Sequence, residues 1–226
     1  EPERVLMTEV LNGRGTKHME VIPNGVDPGL LHYVGPPKEK DVLVFSGAMT
    51  YNPNLDAARQ LCGDVLPRIR KSVPQTSLRI TGGCGDLDVT DMQSISGVEF
   101  TGYVDDIRPV VASASALVVP LRIGGGTRLK ILESMALGTP VVSTPIGAEG
   151  LDVTDGVDIL LGESPEELAA QTVRLLTDPD LASRVSSAAA QLVGERYRWP
   201  DIAEKFERTV STCVTSELER SNVRSG

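Results

Sequence analysis

Two hydrophobic patterns alternate along the chain. Short apolar, β-branched runs follow one another at intervals, each closed by glycine or proline, and between them apolar residues recur every three or four positions. Val42-Leu-Val-Phe-Ser46, followed by Gly47, reads as a fully buried parallel strand. Ser77-Leu-Arg-Ile-Thr81, Val98-Glu-Phe-Thr101, Ala116-Leu-Val-Val-Pro120, Pro140-Val-Val-Ser143 and Asp158-Ile-Leu-Leu161 repeat the pattern, the last closing the sheet. The spacing of Leu55, Ala58, Cys62, Val65 and Ile69 predicts a helix, with Asn52 as its N-cap, Pro53 in its first turn and Pro67 kinking its end. Further helices are expected over residues 105–115, from the glycine-rich loop to Leu137, and from near Pro165, Asp178 and Trp199. On the last of these, Ile202, Phe206 and Val210 share one face and are expected to pack on the domain.

Ahead of the first buried strand the pattern is weaker. Residues 1–12 fit a short helix. Residues 19–27 fit a short strand ending in the turn Pro23-Asn-Gly25, and residues 28–40 a connector. The expected organisation is therefore 1–40 as the end of an upstream N-terminal domain or a linker segment, 41–198 as one α/β domain, and 199–226 as a C-terminal helix and tail. Strands separated by helices of this length require right-handed crossovers, hence a doubly wound, mainly parallel, Rossmann-like sheet with helices on both faces.

Composition narrows the partners. The 226 residues carry 31 acidic against 22 basic side chains, a net charge of −9, so a phosphate backbone is repelled and nucleic acid is not expected as a partner. Any anion must be held by local geometry. The three cysteines, Cys62, Cys84 and Cys213, form no CxxC, which fits reduced thiols and a cytoplasmic location. Two histidines are too few for a His-rich metal site, and neither a leader pattern nor a membrane-length apolar run is present. The first residue is Glu1 rather than Met, which leads us to expect an upstream half.

In a doubly wound sheet, ligands bind outside the carboxyl ends of the strands. The strand-to-helix loops fall at residues 47–54, 82–86, 102–106, 121–127 and 144–150. Single glycines there are ordinary turn punctuation. The loop after the fourth strand is different. Gly124-Gly-Gly126 precedes a helix whose cap is expected at Gly126 or Thr127, and Arg122, Arg128 and Lys130 surround it in an acidic protein. Unhindered amides and the helix dipole make such a place an anion site, and cations at a helix N-terminus otherwise oppose the dipole. Four residues on from Leu129, at the border of the apolar face, Glu133 either accepts hydrogen bonds from a ribose diol or forms an i,i+3 pair with Lys130. Neither a dinucleotide fingerprint, a P-loop nor a GxSxG elbow is present.

Several segments carry a resemblance. Ile22-Pro-Asn-Gly-Val-Asp27, Phe45-Ser-Gly-Ala-Met49 with Asn52-Pro-Asn54, Thr101-Gly-Tyr-Val104, the long run from Val119 through Gly-Gly-Gly-Thr-Arg-Leu-Lys to Ser143, and Glu195-Arg-Tyr-Arg-Trp199 together resemble the C-terminal, donor-binding half of family 4 (group 1) glycosyltransferases. The resemblance implies a GT-B architecture of two Rossmann-like halves and retaining, metal-independent transfer of a hexosyl group from a UDP- or GDP-sugar, with no cofactor. It places Glu133 on the ribose, Gly124, Gly125, Gly126 and Thr127 on the diphosphate and sugar, Gly102, Tyr103 and Val104 at the base, and Gly47 in the first glycine loop. Glu133, Lys130 and Arg128 are the candidate catalytic residues, and Arg122 a further binding residue. The acceptor would be a glycan, lipid or small molecule, with peripheral membrane association only through the missing N-terminal half, without which the chain would be inactive. Two departures stand out: Gly125 replaces the first carboxylate of the family's acidic pair, and Ala48 replaces an arginine. A GT-B epimerase and a non-catalytic nucleotide-sugar binder are the alternatives.

Overall fold

The computed structural model describes residues 20–126 and 128–224, together with Met7 and Val10, and side chains as far as Thr212. The predicted helix over residues 1–12 lies outside the described residues, apart from those two positions.

Six strands form one parallel sheet: β1 (Val42–Ser46), β2 (Ser77–Thr81), β3 (Val98–Gly102), β4 (Ala116–Val119), β5 (Val141–Ser143) and β6 (Leu160–Leu161). Their order is β3-β2-β1-β4-β5-β6, every pairing parallel. This is the doubly wound arrangement expected from the sequence. Strands buried on both faces must be apolar throughout, and β4 is: Ala116, Leu117, Val118 and Val119 are all inaccessible to solvent. The chain reverses its winding direction between β1 and β4, so the loops leaving these two strands diverge and open a crevice at their carboxyl ends.

The helices are α1 (Asn52–Gln60), α2 (Leu66–Ile69), α3 (Thr90–Gln93), α4 (Arg108–Ser113), α5 (Leu129–Ala136), α6 (Pro165–Thr177), α7 (Pro179–Arg196) and α8 (Trp199–Arg224). A π turn over Leu61–Val65 joins α1 to α2. The kink expected at Pro67 is taken up there. Pro67 has no N–H to give the carbonyl four residues back, and Leu66 bonds to Leu61 O, five residues back. Ser164 closes a capping box with Glu167 at the start of α6, and Asp178 caps α7.

Some elements differ from the sequence pattern. Residues 20–27 form no ladder strand; only Val26 bridges, to Arg198, with Val26 N donating to Tyr197 O at 2.7 Å. Gly25 allows that approach, since a Cβ there would lie 2.9 Å from Trp199 N. The connector holds a 3-10 turn, Pro28–His32, capped by Asp27. Asn52 is the first helical residue of α1, and Tyr51 occupies the cap without a side-chain bond. Helix α4 is shorter than residues 105–115: Asp106 accepts from Arg108 N at 3.0 Å to start it, and Ser115 N is already pledged to Val42 O. Helix α3 had no sequence signal. Strand β6 is only Leu160–Leu161, because the Asp158 side chain turns back to accept from Thr154 N at 2.8 Å. On α8, Ile202 is buried but Phe206 and Val210 are exposed. Past Ile202 the helix meets the domain through polar contacts instead, Lys205 Nζ donating to Val21 O at 2.9 Å and Thr209 Oγ1 to Glu20 at 2.8 Å. No described helix is long and apolar enough to cross a membrane.

Candidate functional site

The crevice is built from glycine outward. Gly47 N donates to Thr81 O (2.9 Å), Gly82 N to Gly102 O (2.8 Å) and Met49 N to Gly83 O (2.9 Å), so the loops leaving β1, β2 and β3 are laced together by backbone. Gly47 and Gly82 have φ of +147° and +134°, and a Cβ on Gly82 would fall 2.1 Å from Gly47 O. Nothing larger fits. At the end of β3, Gly102 turns at φ +68° with open space around it; Tyr103 beyond it is 78% exposed and Val104 half-buried.

From the opposite side comes the loop after β4. Gly124 and Gly126 have φ of +117° and +92°, while Gly125 has an ordinary conformation and open space where a side chain would go. A Cβ on Gly124 would touch Pro53 and the Tyr51 hydroxyl at 3.3 and 3.4 Å, so this loop lies against the start of α1. Arg122 reaches the same helix and pairs with the half-buried Asp56, at 3.0 Å from Nε to Oδ2. The cap of α5 falls on Arg128, not Gly126 or Thr127, because Arg128 O accepts from Ile131 N and Leu132 N; no side chain caps it. Thr127 lies outside the described residues.

Arg128 turns under the loop. Its Nη2 donates to Gly124 O and Ile146 O, both at 2.8 Å, and Nη1 lies 3.5 Å from Gly125 O; its side chain is only 7% exposed, and Nε is buried without a partner. It joins the β4 loop to the β5 loop. The β5 loop is itself pinned, with Gly147 N donating to Thr144 Oγ1 at 2.9 Å and Thr144 N to Val119 O at 3.2 Å.

Lys130 points the other way. Its Nζ donates to Asn54 Oδ1 at 2.8 Å, stands 4.4 Å from the centroid of the Phe45 ring, and would be 2.9 Å from a Cβ on Gly47. No carboxylate pairs with it among the described residues. Burial, reinforced by the nearby Arg128, lowers its pKa to about 8. Glu133, three residues along α5, makes no ion pair or hydrogen bond through its carboxylate among the described residues, and burial raises its pKa. The i,i+3 pair with Lys130 is not formed. Two charged groups of opposite sign are thus partly dehydrated on one helix without neutralising each other, a costly arrangement for a helix with no ligand to meet. Among the described residues no group of three or more His, Cys, Asp or Glu side chains converges on a point that could hold a metal ion.

Residues 40–178, well over half of the chain, match the profile of the group 1 glycosyl transferases. The chain belongs to that family. It is 28% identical over 205 residues to glycogen synthase of Mycobacterium tuberculosis, a match covering 85% of this chain and 48% of that protein. It is 30% identical over 206 residues to phosphatidyl-myo-inositol mannosyltransferase of Mycobacterium leprae, covering 86% and 54%. The chain therefore spans about half the length of these relatives. Among solved structures, Anabaena HepE in complex with UDP and glucose superposes with a TM-score of 0.72 at 19% identity, covering 90% of this chain and 60% of that one. Staphylococcus aureus TarM with UDP gives 0.73 at 18%, covering 92% and 42%. These likenesses are to the fold, one half of a GT-B architecture.

In this member of the group 1 glycosyl transferase family the structure brings Gly47, Gly124 and Lys130 to the mouth of the β1–β4 crevice, with Gly125, Gly126 and Glu133 on the same loop and helix. Gly102, Tyr103 and Val104 stand at the end of β3, two strands away from β1. Arg122 and Arg128 are engaged elsewhere, on Asp56 and on backbone carbonyls. Sequence reasoning gave no role to Asn54, Phe45 or Ile146. Asn54 stood in a quoted motif, but which side chain it meets depends on a partner 76 positions away.

Proposed function

We propose that the chain is the donor-binding half of a glycosyltransferase, in which residues 41–198 hold a UDP- or GDP-sugar and a separate half presents the acceptor. Transfer proceeds with retention and without a required metal. The observation that carries this reading is the ammonium of Lys130, buried against Gly47 at the β1–β4 crevice with no carboxylate among the described residues to balance it. A diphosphate supplies that balance. The amides of Gly124, Gly125 and Gly126 and the uncapped start of α5 add donors and partial positive charge on the same side. Thr127 joins them by family position. Glu133 then takes the ribose diol, Gly102 to Val104 the base, and Gly47 the close backbone approach. UDP is the nucleotide named with HepE and TarM, which favours testing it first. The free thiols of Cys62 and Cys84 fit a cytoplasmic enzyme.

Calorimetric titration of the chain with UDP and GDP, in EDTA, tests this reading. Saturable binding that Lys130→Ala weakens by about tenfold or more, a loss of some 1.4 kcal/mol, supports it. Binding indifferent to Lys130 removes it. One observation favours a second reading. The space beside Gly125 is open where the family has a glutamate, so a carboxylate that would meet the sugar is missing. A non-catalytic nucleotide-sugar binder would bind UDP equally well, yet show no transfer when joined to its acceptor half. Nuclear magnetic resonance of the product's anomeric proton distinguishes retention, epimerisation and no reaction.

A further inference from the structure

One buried amide connects the two loops that flank the crevice. Asn54, in the first turn of α1, is 8% exposed. Its Nδ2 donates to Ala48 O at 3.0 Å, and its Oδ1 accepts from Lys130 Nζ at 2.8 Å. The first bond sets the second. An N–H committed to Ala48 leaves only the carbonyl end to face the ammonium. On its other sides the ammonium meets the Phe45 ring and the bare backbone of Gly47, where a Cβ would come within 2.6 Å of Asn54 Nδ2 and 2.9 Å of Lys130 Nζ.

We propose that Asn54 is the positioning residue for Lys130, holding its ammonium at the β1 loop with a neutral acceptor so that the cation is oriented yet left uncompensated for an incoming diphosphate. This rests on the donor-site reading above. A long, flexible lysine stem carries much rotamer freedom, and a fixed acceptor removes it before the ligand arrives. A carboxylate at position 54 would still accept from the ammonium, but it would give up the bond to Ala48 O, neutralise the cation and repel phosphate. An apolar side chain there would neither accept from the ammonium nor neutralise it.

The charged groups around Lys130 are few. Arg128, from the same helix start, opposes its charge, and together with burial lowers its pKa to about 8. Glu133 is one turn on and forms no pair with it among the described residues. On α1, Asp56 is taken by Arg122. Near neutral pH and above, the proton on Lys130 is therefore the one whose loss weakens diphosphate binding, since the terminal phosphate of UDP completes its own ionisation near about pH 6.

The test is UDP affinity of the 226-residue chain by calorimetry between about pH 7 and 9. In the wild type, affinity should fall as pH rises through the Lys130 pKa, and in Lys130→Met this step should vanish along with most of the affinity. Asn54→Asp should move the step to higher pH, because a carboxylate retains the lysine proton, while lowering affinity below the step by about fivefold or more. Asn54→Leu should move it to lower pH and weaken binding at neutrality by a similar factor. Asn54→Ala, which removes the oxygen acceptor with less bulk, replaces the leucine variant if that variant does not fold. If Lys130→Met binds UDP as the wild type does, the donor-site reading itself fails. If Lys130→Met loses affinity but the Asn54 variants keep the wild-type midpoint, Lys130 is a ligand that Asn54 does not position, and the inference is overturned.

Discussion

Arg128 ties two loops that are distant in sequence: its Nη2 donates to Ile146 O and to Gly124 O, each at 2.8 Å. A single guanidinium nitrogen thus fixes the spacing between the β4 and β5 loops. Arg128→Met should cost about 1–3 kcal/mol, because carbonyls left facing a buried apolar side chain lose their donors. It should also weaken UDP binding through the loosened loop. Arg128→Lys should not restore either property, since an ammonium lacks the planar fork that reaches both loops. Thermal unfolding and calorimetry on the same preparations check both expectations.

Glu133→Ala should weaken nucleoside diphosphate binding by roughly 2–4 kcal/mol, the loss of up to two charge-assisted bonds to the ribose, and leave the fold intact. Unchanged affinity at an unchanged melting temperature would take Glu133 out of the site.

Stability and binding should respond to Glu133 in opposite directions. Burial raises its pKa, so the folded state bears a cost wherever the carboxylate is ionised. The cost is absent below the unfolded pKa, near about 4.3, and grows as pH rises through the folded value. Glu133→Gln should therefore melt higher than wild type at neutral pH, with the difference closing on acidification below about pH 4. A melting-temperature difference independent of pH would contradict this.

For Lys130 the sign is reversed. Its folded pKa of about 8 lies below the unfolded value, so the protonated side chain costs stability as pH falls through about 8, and the cost disappears above about 10.4. Lys130→Met should raise the melting temperature at neutral pH by about 2–4 °C, allowing for partial solvent screening, and the gain should shrink in alkali. A gain in stability coupled to a loss of UDP binding would mark Lys130 as held for its ligand rather than for the fold.

Gly82→Ala combines two faults: a φ of +134°, and a Cβ 2.1 Å from Gly47 O. The strain alone is worth about 1–3 kcal/mol, and the clash displaces the β1 loop that carries Gly47. Gly83→Ala, with open space around its Cβ position and no positive φ, is the control and should be nearly silent. Similar losses in both variants would argue against a close contact specific to Gly82.

Much of the architecture is legible in the sequence because it depends on local rules. Buried parallel strands must be apolar throughout, helices between them repeat every 3.6 residues, and glycine must stand where a loop turns sharply at a strand end. From Val42 to Ser143 those rules place every strand and, with the winding they require, the crevice at the carboxyl edge. The same sequence singled out Gly124 to Gly126, Lys130 and Glu133. It could not tell what each charge meets. Arg122, Arg128 and Lys130 look alike as three cations around a glycine loop. Tertiary packing sends the first to Asp56, the second beneath the loop to the carbonyls of Gly124 and Ile146, and the third to Asn54 and the Phe45 ring. A hydrogen bond is decided by distances of a few tenths of an ångström between groups that the chain brings together only after the sheet is built, and no periodicity encodes them. The same holds for Phe206 and Val210, which the helical period sets on one face with Ile202 but which stay exposed, because past Ile202 the contacts of α8 are polar ones, from Lys205 to Val21 and from Thr209 to Glu20.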